Sequence, residues 1–125
     1  GLHLGARLPA HATSTGRMLL SALPRPALSA WFKGRTLPRL TPVTTTDVKR
    51  LRSLIDQAAR DDYCVASEEH ELGVHALAVP LRNMQGTTVA ALNVVAPQTR
   101  LQPDSDPKSA AEVLFQQAWL GEKFV

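Results

Sequence analysis

The sequence predicts an α/β fold of the α+β kind, an antiparallel sheet with flanking helices, and three observations carry that reading. Val48, Leu51, Leu54, Ile55, Ala58 and Ala59 recur at helical spacing, with Lys49, Arg50, Arg52, Asp56 and Arg60 mostly off the stripe. Two runs of strand formers, residues 74–81 and 87–95, flank Asn83-Met84-Gln85-Gly86, which reads as a hairpin loop. Thr13-Ser14-Thr15-Gly16 stands between a Pro-containing segment and Met18, Leu19, Ala22 and Leu23 at helical spacing, the pattern of a capped helix start.

The first helix is expected over residues 13–23, where Pro24 stops it. Leu28, Trp31 and Phe32 fall at i, i+3 and i+4, so a short second helix is expected over 27–33 with Gly34 as its C-terminal cap. Pro38 and Pro42 make residues 35–43 a loop. Thr44-x-x-Asp47 resembles a capping box for the third helix, which should end near Asp61, with Asp62 as a left-handed cap weaker than Gly. A strand follows at 63–67. Pro80 lacks a ladder donor and belongs near a strand end or on an edge. Asp106-Pro107 opens a last helix carrying Ala110, Val113, Leu114, Phe115, Ala118 and Trp119, and Gly121 ends it.

At 125 residues the chain is one domain, and 44% apolar and 20% charged residues are ordinary for a globular protein. No apolar run approaches the ~20 residues that span a bilayer. The start shows no charged segment followed by an apolar core and cleavage site. The single Cys64 forbids an intrachain disulfide and fits a reducing cytoplasm. Opening on Gly1 without Met, the chain reads as a piece of a longer protein. Its net charge of +3 is uneven: residues 1–60 carry ten Lys and Arg against two Asp, and residues 61–125 four against nine carboxylates. The cations are scattered over several elements without interleaved aromatics, which favours solvated faces over a nucleic-acid surface.

Two features bear on chemistry. A helix start with free N–H groups and small residues favours an anion, although most capped helices bind only water. The hairpin alternates: Leu77, Val79, Leu81, Leu92 and Val94 share a large face expected to pack on helices, while Ala76, Ala78, Ala91, Asn93 and Val95 share a small face with one amide. That small face suits either a ligand or a closely packed helix. His3, His11, His70 and His75 are dispersed, and Glu68, Glu69, His70 and Glu71 lack metal-ligand spacing, so no metal or cofactor is expected and 68–71 reads as a charged, solvated loop. His11 reads as a structural histidine and Cys64 as a buried, inert thiol. Arg17 reads as solvent-facing or at a subunit contact. No G-x-S-x-G elbow is present, and catalysis has little support.

Two stretches carry a family resemblance. Arg7 to Leu20 reads R-L-P-A-H-A-T-S-T-G-R-M-L-L. Residues 68–80 follow E-E-x-x-x-G-x-x-x-x-A-x-P, and Ala90-Ala91-Leu92-Asn93-Val94 follows a short turn. Together they resemble the effector-binding domain of IclR-type transcriptional regulators, and the first stretch resembles the subgroup governing aromatic-acid catabolism. The resemblance covers almost the whole of residues 1–125 and not the family's winged helix-turn-helix. It implies a GAF-like domain, N-terminally truncated in this chain, that senses a small carboxylate and contacts DNA only through the missing domain. It also implies dimers or tetramers, no membrane association and a cytoplasmic location. Motif by motif, it places effector-binding positions on Ser14, Thr15, Ala66, Ala76, Asn93 and Val95. Arg7 could pair with the carboxylate or anchor a loop. Apolar Ala66 and Ala76 suit a ring. The other readings are an enzyme acting on a small aromatic acid and a plain dimerisation module with a vestigial pocket.

Overall fold

A computed structural model describes residues 4–97; the expected last helix and His3 lie outside them. A 3-10 turn, Ala10–Ala12, leads into α1, Ser14–Ser21. Thr13 is its N-cap: Oγ1 accepts from the Gly16 N–H at 3.2 Å and donates to the Pro9 carbonyl at 2.9 Å. The helix stops two residues short of the expected end, because the N–H groups of Ala22 and Leu23 reach back three residues to Leu19 and Leu20. α2 is Arg25–Phe32, two residues earlier than expected. Pro24 is its N-cap, and Pro26 falls in the first turn, where a missing N–H costs nothing.

α3 is Val48–Asp61. Its cap corrects the expected Thr44 box: Asp47 is the N-cap and its Oδ2 accepts from the Arg50 N–H at 3.0 Å. Leu51, Ile55 and Ala58 are buried, whereas Val48 and Ala59, expected on the same stripe, are exposed. Asp62 closes the helix in the left-handed region at φ 58°. Leu20, Leu28, Phe32, Leu51 and Ile55 form a core joining the three helices. Several cations of this half are engaged locally: Arg35 lies over Trp31 and Arg52 over Phe32, each 4.4 Å from the ring centroid.

β1 (Cys64–Ser67), β2 (Val74–Arg82) and β3 (Thr88–Pro97) form an antiparallel sheet in that order. Asn83 shapes the β2–β3 turn: its Oδ1 accepts from the N–H groups of Gln85 and Thr87, each at 3.0 Å, and Gly86 sits at φ 80°. Pro80 is in the central strand, but the β1 ladder ends at Cys64 opposite Ala78, so Pro80 has a strand on one side only.

The expected packing of the two faces is reversed. Met18 of α1 and Ala58 of α3 pack on Cys64, Ala78 and Ala91, so the helices cover the small face. Leu77 and Val79 form a separate cluster with Tyr63 and Leu92 on the other. Small side chains let a helix axis approach the sheet closely, which the large face would not. No helix among the described residues is long and apolar enough to cross a membrane.

Candidate functional site

Where α1 leaves the small face, a cavity of about 190 Å³ opens between the helix start and the sheet. An apolar cavity of roughly 150 Å³ takes up a benzene ring. The register explains the sheet wall: Ala66 pairs with Ala76, Ala76 with Val95, and Ala78 with Asn93, so alternate residues of three strands point the same way. Ala66, Val74, Ala76, Asn93 and Val95 form that wall. The opposite wall is Ala12, Thr13, Ser14 and Thr15. Six of the seven positions singled out in the sequence therefore line one space. Arg7 does not: it is exposed and outside the lining.

The helix wall is polar in a particular way. The Thr13 hydroxyl is already used by the cap and by Pro9, so it is not free to donate into the cavity. The Gly16 and Arg17 N–H groups go to Thr13, which leaves Ser14 and Thr15 as the first-turn positions whose N–H groups have no helical acceptor. Ser14 is 1% exposed, and its Oγ has no hydrogen-bond partner among the described residues. A buried unpaired hydroxyl costs about 1–3 kcal/mol. The arrangement leaves the Ser14 hydroxyl and the first-turn N–H groups of Ser14 and Thr15 without an acceptor among the described residues, at the edge of the cavity.

The third wall is the β1–β2 loop, represented by His70 and Glu71, and Leu8 adds an apolar edge. Sequence reasoning misses these residues because loops have no periodicity. The available signal is the short spacing from Glu68 to Gly73, which forces the loop to the hairpin end beside Ala66 and Ala76. The loop also corrects the solvated reading of 68–71. Glu69 is largely buried, its side chain 11% exposed, and paired with Arg17, which is 1% exposed instead of solvent-facing. The guanidinium donates to Glu69 Oε2 at 2.8 Å and Oε1 at 2.5 Å, and its Nε to the His11 carbonyl at 2.9 Å. Burial pushes the Glu69 carboxyl up, but hydrogen bonds from Arg17 and Thr45 and the Arg17 charge outweigh it and hold it below its ordinary value.

His11 is buried with Nε2 2.8 Å from the Pro38 carbonyl, a structural role. Cys64 is buried and burial pushes its thiol up to about 11, the opposite of an activated nucleophile. Among the described residues no three His, Cys, Asp or Glu side chains converge as metal ligands.

The family model of the C-terminal region of bacterial transcriptional regulator IclR matches residues 1–118. Over 103 residues the chain is 52% identical to the p-hydroxybenzoate hydroxylase transcriptional activator of Acinetobacter baylyi, covering 82% of this chain and 38% of that protein. It is 50% identical to the Pca operon regulatory protein of the same organism over 100 residues, 80% of this chain and 36% of that protein. The first is by name a transcriptional activator and the second an operon regulatory protein, and the chain spans under two-fifths of either. Among solved structures, the inducer-binding domain of an Acinetobacter PobR double mutant in complex with 3-hydroxybenzoic acid superposes with a TM-score of 0.75. It is 52% identical, and the match covers 81% of this chain and 58% of that one.

Proposed function

The chain belongs to the IclR family of bacterial transcriptional regulators, and from that premise we propose that residues 1–125 are the effector-binding domain of a longer, cytoplasmic, oligomeric regulator. The effector is a small carboxylate, with an aromatic acid favoured. The observation that carries this is Ser14: among the described residues its buried hydroxyl has no partner, it stands beside two open backbone donors at a helix start, and it shares a cavity with the apolar Ala66 and Ala76. The donors and the helix dipole favour an anion at that end. Glu71 also lines the cavity, and its charge opposes a carboxylate near it, so in this reading the anion lies at the Ser14 and Thr15 end. The alanines leave room for a ring, and Asn93 offers an amide to a ring substituent. The solved relative with a hydroxybenzoic acid supports this ligand class.

Sensing requires that the effector bind two arrangements of the regulator unequally, since only the difference biases DNA binding. DNA contact is assigned to a part of the regulator outside this chain. Calorimetric titration of p-hydroxybenzoate and of p-hydroxybenzamide, its neutral amide, into wild type and Ala76→Leu tests the reading. The acid should bind and the amide should bind much more weakly. Leu at position 76 should fill the ring space and abolish binding while the fold persists. Equal binding of acid and amide, or unchanged binding by Ala76→Leu, refutes it.

A further inference from the structure

We propose that Arg17 is a positioning residue for this cavity: it holds two of the cavity's walls and so sets the gap that admits the effector's ring, without touching the effector. The inference rests on the cavity being the effector site. Arg17 is not part of the lining, yet it is bonded to the residue beside each wall. Its Nε holds the carbonyl of His11, the neighbour of Ala12; its two terminal nitrogens hold the carboxylate of Glu69, the neighbour of His70 and Glu71. One planar group thus ties the helix-start wall to the loop wall.

The loop wall is pinned from behind as well. The Glu69 carboxylate accepts from the Thr45 N–H at 2.8 Å, and the carbonyls of Glu68 and Glu69 accept from the hydroxyls of Thr41 and Thr44, each at 2.7 Å. Thr44 itself accepts from the Leu40 and Thr41 N–H groups, so the turn behind the loop is closed. The Arg17 fork joins this rigid loop to the helix start. A lysine has three donors on one point and no planar fork, so it cannot hold the His11 carbonyl and both carboxylate oxygens together.

Width control and general support predict different binding data. A loss of folded population multiplies every ligand's apparent dissociation constant by one factor and leaves their ratio untouched. A wider gap relieves the larger ligand selectively. The experiment measures dissociation constants of p-hydroxybenzoate and 4-hydroxy-3-methylbenzoate for wild type, Arg17→Lys, Glu69→Gln and Ala76→Leu. One added carbon in a tight apolar site is worth roughly 10–200-fold, so Arg17→Lys should shift the ratio about fivefold or more toward the methylated acid. Glu69→Gln keeps an oxygen for Thr45 but turns an amide N–H toward the guanidinium, and should shift the ratio the same way; it carries the test if Arg17→Lys does not fold. An unchanged ratio in the folded variants, with binding still lost in Ala76→Leu, overturns the positioning role alone. Absence of binding by wild type, or binding indifferent to Ala76→Leu, overturns the cavity reading and this inference with it.

Discussion

Gly16 and Ala10 are in backbone contact across the entry to α1: a Cβ on Gly16 would run into the Ala10 Cα and lie 2.5 Å from its carbonyl oxygen. Both obstacles are backbone, so neither can swing away. The residue is glycine because the 3-10 turn and the helix start must lie against each other, and that contact places Ala12 and Ser14 on one cavity wall. Gly16→Ala should therefore cost about 1–3 kcal/mol by overpacking. It should also displace Ala12 and weaken effector binding beyond the loss in folded population. Thermal unfolding with a parallel titration checks both; an unchanged melting temperature would show that the turn can yield.

The Arg17–Glu69 pair gives a pH signature whose sign follows from the lowered Glu69 pKa. A carboxyl held below its ordinary value of 4.5 adds stability that is fully present above that value. The contribution is lost as pH falls through the folded-state value. The stability gap between wild type and Glu69→Gln should be constant near neutrality and shrink below pH 4.5. Arg17→Met is the harsher change, because it leaves Glu69 unpaired; one-sided removal of a buried pair costs about 3–5 kcal/mol. Urea unfolding across pH reads both.

Asp47 and Thr44 separate a helix cap from a loop clamp. Asp47→Ala removes one cap bond to Arg50 and should cost about 1 kcal/mol. Thr44→Ala removes acceptor bonds from Leu40 and Thr41 and the donor bond to the Glu69 carbonyl, all around a buried hydroxyl. It should cost more than Asp47→Ala and, unlike it, reduce effector affinity. Denaturation and titration of the two variants side by side check the ordering.

Cys64 should resist alkylation in the folded chain. Burial raises its thiol to about 11, so the thiolate fraction at neutral pH is negligible. Iodoacetamide labelling should be slow in buffer and become rapid in urea. Rapid labelling of the native chain would mean that β1 opens locally.

Local chemistry is what the sequence displays well. The Thr13 cap, the Leu51-Ile55-Ala58 stripe, the left-handed Asp62 and the Asn83–Gly86 turn depend on neighbours within a few residues. Arg17 departs from its solvent-facing expectation because a cation's burial is decided by its partner, and Glu69 is 52 positions away. Alternation in β2 and β3 sorts the faces correctly but is silent on which face a helix covers; backbone approach, not hydrophobicity, decides that. Thr44 stands at the spacing of a cap, whereas a carbonyl 25 residues on claims its hydroxyl. Among the cavity-lining residues, Ala76, Asn93 and Val95 are legible through strand alternation and family motif together, Ser14 and Thr15 through the helix-start pattern and the motif, and Ala66 through the motif alone. His70 and Glu71 are not, since neither periodicity nor the motif marks loop residues as walls.

Ser14 offers a sharp separation of stability from function. Its Oγ is buried without a partner among the described residues, so the folded chain carries the desolvation of a hydroxyl and gains no bond from it. Removing that group by Ser14→Ala deletes one oxygen from a tight site and leaves the Thr13 cap intact. In the absence of ligand the variant should be at least as stable as wild type, and up to about 1–3 kcal/mol more so. With ligand that difference should narrow. An effector at ~100 times its dissociation constant adds about 2.7 kcal/mol to wild type. The variant, lacking the hydroxyl, should gain less, because a charge-assisted hydrogen bond is roughly twice as strong as a neutral one. Melting curves of both chains with and without p-hydroxybenzoate contain the whole test. If Ser14→Ala is destabilised without ligand, the hydroxyl has a structural partner. If both chains gain equally with ligand, the anion is held elsewhere.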